Sequence, residues 1–167
     1  MLAMLTNIRT FPKTTPTPPK KDKYSWENWI KEPGENRATR MKFLEKFKIQ
    51  DNKLICDGDL ELEYVENVSS LPPHMKVTGR IDLTGWSNLT SLPIGLEANT
   101  LILTGCKKLT SLPEDLAVQS INLRDCEQIT SLPNTIKGLK VLYVNKTNLQ
   151  YGHYKEHYLN SVEIMAI

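Results

Sequence analysis

Apolar residues in the middle of the chain recur with a spacing of 20 or 21 residues, and this spacing is the main structural signal in the sequence. The tripeptide Ser-Leu-Pro begins at residues 70, 91, 111 and 131. Two columns of apolar residues accompany it: Leu60, Ile81, Leu101 and Ile121 in one, and Leu62, Leu83, Leu103 and Leu123 in the other. Such a period is typical of a solenoid, in which each repeat buries its apolar side against its neighbours.

Each repeat has the pattern of one short strand followed by an extended return segment. Leu101 and Leu103 are separated by one residue, which suits a strand with one buried face. Pro113 has no amide hydrogen to donate, so it suits a segment outside the sheet. The unit L-x-L-x-x-C-x-x-L-T-S-L-P, clearest in residues 101–113, resembles a leucine-rich repeat. We therefore predict an α/β repeat solenoid in which about five parallel strands, spaced by about 4.8 Å, form a short ribbon.

Two amphipathic helices are predicted directly before the repeats. Trp26 and Trp29 lie on one helical face before Pro33 ends the first helix, and a second helix is predicted over about residues 35–47. The first repeat of a solenoid would otherwise expose one end of the apolar core. We therefore interpret residues 24–49 as an α-helical hairpin that caps the repeats, with both tryptophans in the core of this cap.

The regions that flank the hairpin and the repeats have a different composition. Residues 1–23 contain five threonines, four prolines and no acid before Asp22, which predicts a disordered tail that would also suit a secretion signal. The repeats are assigned to residues 50–149. Residues 150–167 are interpreted as a C-terminal cap or tail, in which a short helix carries Tyr151, Tyr154 and Tyr158 on one side and the apolar end packs on the last repeat.

Charge and hydropathy argue against several classes of function. The first 50 residues carry 11 Lys/Arg and 5 Asp/Glu, a balance of +6, whereas the rest of the chain carries 10 and 14, a balance of −4. A basic arm of this kind could contact nucleic acid, but its charges are not interleaved with a stacking platform of aromatic residues, so we expect no nucleic-acid partner. No apolar run is long enough to span a membrane, and the basic residues follow the first apolar residues rather than precede them, so no classical signal peptide is expected.

The cysteines and histidines do not form a recognisable metal or catalytic motif. Cys106 and Cys126 hold the same place in consecutive repeats, where a disulfide is conceivable, but we interpret them as reduced structural thiols. Cys56 has no Cys or His partner at ligand spacing. We therefore predict no metal site, no cofactor and no catalytic residue.

A resemblance to a known family follows from the hairpin and the repeats together. The run Tyr24-Ser25-Trp26-Glu27-Asn28-Trp29, with the Ser-Leu-Pro repeats and Leu71-Pro72-Pro73-His74, resembles the IpaH/YopM family of bacterial type III secreted effectors. In that family a W-x-x-W helix hairpin caps a leucine-rich repeat with Leu-Pro motifs. The resemblance covers residues 24 to about 149, and it implies a protein that a bacterium secretes and that binds a host protein in the host cell cytoplasm.

The chain departs from many members of that family after the repeats. Those members carry a ubiquitin ligase domain with a Cys-x-Asp nucleophile, whereas 18 residues follow Leu149 here and no cysteine fits that motif. The favoured expectation is therefore a non-enzymatic protein-binding module. Two alternatives stay open: a substrate-recognition remnant or partner of such a ligase, and an internal bacterial interaction protein.

The predicted ribbon offers one face for binding. Residues between the inward leucines point away from the core, and we interpret this outward face as the partner-binding site. A strand face that is merely solvated is the alternative. The candidate residues are Arg80, Asp82, Thr84, Thr100, Ile102, Thr104, Ser120, Asn122, Arg124 and Tyr143.

Overall fold

The computed structural model of the protein describes residues 26–31, 37–60, 62, 69–149, 158 and 162–166. Within these ranges lie two helices and seven strands. The helices are α1 (Trp26–Trp29) and α2 (Arg37–Leu44), and the strands are β1 (Lys48–Gln50), β2 (Lys53–Cys56), β3 (Met75–Asp82), β4 (Glu97–Ile102), β5 (Ala117–Asn122), β6 (Val141–Val144) and β7 (Glu163–Ala166).

The strands form one sheet in which sequence order and spatial order agree. The order is β1 to β7, with β1 antiparallel to β2 and every later pair parallel. The chain is a parallel-strand β-solenoid of about four turns, which confirms the solenoid that the repeat predicted. The pairing register joins Ile81 to Leu101, Leu101 to Ile121, and Ile121 to Leu142, so each residue lies beside its equivalent in the next repeat.

The predicted columns of apolar side chains lie in the core. Seven of their eight residues are buried at 0–1% exposure, and Leu142 extends the first column, whereas Leu62 is only partly buried. Burial of one such side chain contributes about 1.5–3 kcal/mol. Because the side chains of a strand alternate between its two faces, burial of these columns leaves the residues between them on the outside.

A tight turn follows each of the strands β3, β4 and β5. Gly85 and Gly105 occupy it with φ of 78° and 75°, and Asp125 takes the same place in the next repeat with φ of 58°. Asp is one of the few residues with a side chain that visits this left-handed conformation. The amide of Gly105 donates to the Arg124 carbonyl at 2.9 Å, so adjacent turns are hydrogen-bonded to each other.

The region before the repeats differs from the prediction in two respects. Helix α2 ends at Leu44 rather than near Phe47, and β1 and β2 form an antiparallel hairpin that the sequence reading did not include. The hairpin turn consists of Asp51 and Asn52, which have φ of 50° and 62°. Two consecutive left-handed residues are the requirement of a type I′ two-residue hairpin loop, which the sequence Asp-Asn satisfies.

The side chain of Trp29 joins the helical region to the first repeat. Trp29 is buried, and its indole Nε1 donates to Ser70 Oγ at 3.2 Å. The Trp29 ring lies 5.6 Å from the Phe43 ring, and the guanidinium of Arg40 lies 4.8 Å from the Trp29 ring centroid. Phe47 packs against the main core, as do Trp26, Phe43 and Leu44.

At the other end of the sheet, β7 adds a strand where the sequence predicted an apolar end packed on the last repeat. Ile164 pairs with Leu142 and packs against the core. Tyr158 is buried, and its hydroxyl donates to the carbonyl of Pro133. The rest of the predicted C-terminal helix and the predicted tail, residues 1–23, lie outside the described residues.

Candidate functional site

The outward face of β3 to β6, with the first residues of the turns that follow, is the candidate site; we call it the ribbon face. All ten sequence-predicted residues lie on it, and each of them is half-buried or exposed. The pairing register sorts them into rows across the strands. One row contains Arg80, Thr100 and Ser120, a central row contains Asp82, Ile102, Asn122 and Tyr143, and Thr84, Thr104 and Arg124 follow beyond the central row.

Hydrogen bonds between residues two apart in sequence fix the backbone at the ends of β3 and β5. The Asp82 carboxylate accepts from the Thr84 amide at 3.0 Å and from the Thr84 hydroxyl at 2.6 Å. At the equivalent place two repeats later, the Asn122 side-chain oxygen accepts from the Arg124 amide at 3.1 Å. Side chains that accept from the amide two residues ahead favour a turn. The rim of the ribbon face is therefore held in a defined conformation.

The two arginines among the candidate residues, Arg80 and Arg124, lie in different environments. Arg80 forms an ion pair with Asp59, with an N–O distance of 3.5 Å, and its amide also donates to the Asp59 carboxylate. The guanidinium of Arg124 instead lies 5.2 Å from the centroid of the Tyr143 ring. Its Nε is shielded from solvent and makes no hydrogen bond with any residue in the described part of the chain.

Sequence reasoning missed three residues that belong to the same surface. Val141 pairs with Ser120 and extends the first row. Beyond it, β7 places Glu163 beside Val141 and Met165 beside Tyr143. The alternation that identified Tyr143 also placed Val141 on this face, whereas the strand β7 lies outside the repeat and has no periodic signal.

A shallow groove of about 370 Å³ lies near the amino-terminal ends of the strands. Its lining includes Val77, Ala98 and Val118, with Lys76 and Glu97 beside them. Glu97 is already paired with Lys53 at 3.0 Å and with Lys76 at 3.4 Å, and the hydrogen bond from Lys53 lowers the pKa of Glu97. Because Glu97 is paired with both lysines, the groove is a weaker candidate for a binding site than the ribbon face.

The cysteines are free thiols buried in the core. The Cys106 thiol lies 3.3 Å from the Leu83 carbonyl oxygen, and the Cys126 thiol lies 3.0 Å from the Leu103 carbonyl oxygen, each in hydrogen-bond contact with the preceding repeat. Burial raises the pKa of Cys106 to about 12 and that of Cys126 to about 11. Because the thiolate is the nucleophile, these side chains are suited to packing rather than to covalent chemistry.

Within the described ranges, no group of three or more His, Cys, Asp or Glu side chains is placed to hold a metal ion. No helix in those ranges has the length and apolar character needed to cross a membrane. Comparison of the chain with protein-family models, with curated proteins and with solved structures gives no match.

Proposed function

We propose that this chain is a non-enzymatic protein-binding module of the leucine-rich repeat type, whose ribbon face binds a protein of a host cell. The central row and the adjoining Arg124 carry the proposal: half-buried Ile102 and Tyr143 lie among the polar residues Asp82, Asn122 and Arg124 on one face. Protein interfaces are enriched in aromatic residues and arginine, and they surround apolar contacts with a polar rim.

The proposed leucine-rich repeat type includes a helical hairpin that caps the solenoid. Support for the cap comes from the contacts of α1 and α2. Trp29 of α1 is buried against Ser70 and Phe43, and Phe43 and Leu44 of α2 pack against the core. A cap of this kind would protect the first repeat from water and keep the ribbon face in one fixed shape.

The proposed setting is export by a bacterium followed by action in the host cell cytoplasm. It rests on the resemblance of the hairpin and the Leu-Pro repeats to secreted effectors, and on the Pro/Thr-rich composition of residues 1–23. Deletion of residues 1–20 should abolish export from a secretion-competent strain. Unchanged export of the shortened chain would contradict a signal in this segment.

The binding proposal is tested by affinity capture from a host-cell lysate. The parent chain is compared with a double variant that carries Arg124→Ala and Tyr143→Ala, and with a control that carries Thr110→Ala and Thr130→Ala in the exposed segments outside the sheet. We expect the parent and the control to retain the same host protein and the double variant to lose it. Equal capture by all three chains would show that the ribbon face is solvated surface.

A further inference from the structure

Arg124 is held in place by backbone hydrogen bonds and an aromatic contact, and no acidic side chain in the described part of the chain is paired with it. Its amide donates to the Asn122 side chain, and its carbonyl accepts from the Gly105 amide, so its backbone is fixed on both sides. Its guanidinium lies over the Tyr143 ring and forms no ion pair with a residue in the described ranges. By contrast, the ion pair with Asp59 neutralises Arg80, the other arginine of the ribbon face.

The surroundings of Arg124 limit what it can bind. A guanidinium is planar and presents parallel N–H donors that match a carboxylate, and the Tyr143 ring fixes the orientation of this plane. The carboxylate of Asp82 lies two strands away, which corresponds to roughly 10 Å at the usual strand spacing. Lys146, in the turn after β6, is paired with Asp125 at 3.7 Å. One arginine that has no ion-pair partner among the described residues, with acidic groups nearby, suits a monoanion better than a doubly charged phosphate, which proteins usually bind with clusters of arginines.

We propose that Arg124 is the specificity-determining residue of the ribbon face and that it binds the carboxylate of an Asp or Glu side chain in the partner protein. An apolar side chain next to this acid in the partner would pack on Ile102, which pairs with Asn122 in the neighbouring strand. This inference rests on the proposed function, because it assigns the partner chemistry at the same face. It predicts a short partner motif that contains an acid and an apolar residue.

The test uses a random peptide library displayed on phage and selected on the full chain. The parent is compared with Arg124→Lys, which keeps the charge but loses the planar donor pair, and with Arg124→Glu, which reverses the charge. A selected peptide is then synthesised with Glu, Gln or phosphoserine at its acidic position. The melting temperature of each variant is measured first, to check that the variant is folded. We expect it to match the parent, because a half-buried residue at the protein surface should tolerate these changes.

We expect the parent to select peptides with an acid beside an apolar residue, and Arg124→Glu to select basic residues at the acidic position instead. Replacement of Glu by Gln in the peptide, or of Arg124 by Lys in the protein, should weaken binding by about tenfold or more. Phosphoserine should bind no tighter than Glu.

Three results would overturn the inference, and they separate it from the proposed function. In the first, the peptides selected by the parent show no preference for acids, and Tyr143→Ala no longer binds them; the ribbon face then binds peptides, but Arg124 does not set its specificity. If only the phosphoserine peptide binds, the ligand is a phosphopeptide and the carboxylate assignment is wrong. If no peptide is selected by the parent or by any variant, both the inference and the proposed function fail.

Discussion

Replacement of Trp29 by alanine tests whether the helical region stabilises the solenoid. Trp29 is 4% exposed, and its indole contacts the Ser70 hydroxyl, the Phe43 ring and the Arg40 guanidinium. Truncation of a buried Trp costs about 3–5 kcal/mol through lost burial and the cavity left behind. The change would also leave the buried guanidinium of Arg40 without the ring it lies against. Because a domain of this size has a stability of about 5–15 kcal/mol, Trp29→Ala should make the fold marginal.

The assay is urea denaturation followed by far-ultraviolet circular dichroism, which does not depend on the fluorescence of the removed tryptophan. Two further variants separate the contribution of the Trp29–Ser70 hydrogen bond from that of the apolar contact of the ring. Ser70→Ala removes the hydrogen bond and should cost about 0.5–1.5 kcal/mol, whereas Trp29→Phe keeps most of the apolar contact and should fall between Ser70→Ala and Trp29→Ala. If Trp29→Ala lowers the free energy of unfolding no more than Ser70→Ala does, the helices do not stabilise the repeats and the proposed cap is refuted.

Three other predictions concern the core of the solenoid. Leu103→Ala should lower the free energy of unfolding by about 2–5 kcal/mol in urea denaturation, whereas Thr104→Ala, on the opposite strand face, should change it by less than about 0.5 kcal/mol; equal effects would contradict the assigned strand faces. The thiols of Cys106 and Cys126 should resist alkylation at neutral pH until the chain unfolds. Because burial raises their pKa from 9.0 to about 12 and about 11, the unfolded chain loses these protons first, so stability should be full below pH 9 and fall as the pH rises through 9 to 12. A double variant Cys106→Ala and Cys126→Ala that loses as much stability over this pH range as the parent would show that other groups cause the effect.

The repeat made the core predictable because a solenoid turns a sequence period into a spatial register. Once Ile81, Leu101 and Ile121 occupy one column, strand pairing places them side by side, and alternation fixes which residues face outward. The β1–β2 hairpin lies before the repeat and gives no periodic signal. Its turn residues, Asp51 and Asn52, were a local hairpin signal that the helical pattern of the preceding residues obscured.

The candidate site was predictable as a list of residues but not as a set of interactions. Asp59 and Arg80 occupy one column, so their ion pair follows from the same period that predicted the strands. Arg124 and Tyr143 are diagonal neighbours on adjacent strands, and whether they touch depends on the side-chain rotamers. The structure alone therefore shows that Arg80 is paired with Asp59, whereas Arg124 lies over the Tyr143 ring and has no acidic partner among the described residues.

Site-specific photo-crosslinking tests the central proposal, that the ribbon face binds a host protein, most directly. A photoreactive benzoylphenylalanine replaces Ile102 in one chain and Thr110, which lies outside the sheet, in a matched control. After irradiation in host-cell lysate, the chain labelled at position 102 should form a covalent adduct with one host protein, and the chain labelled at position 110 should not. An adduct that forms from position 110 and not from position 102 would place the partner elsewhere and contradict the proposal.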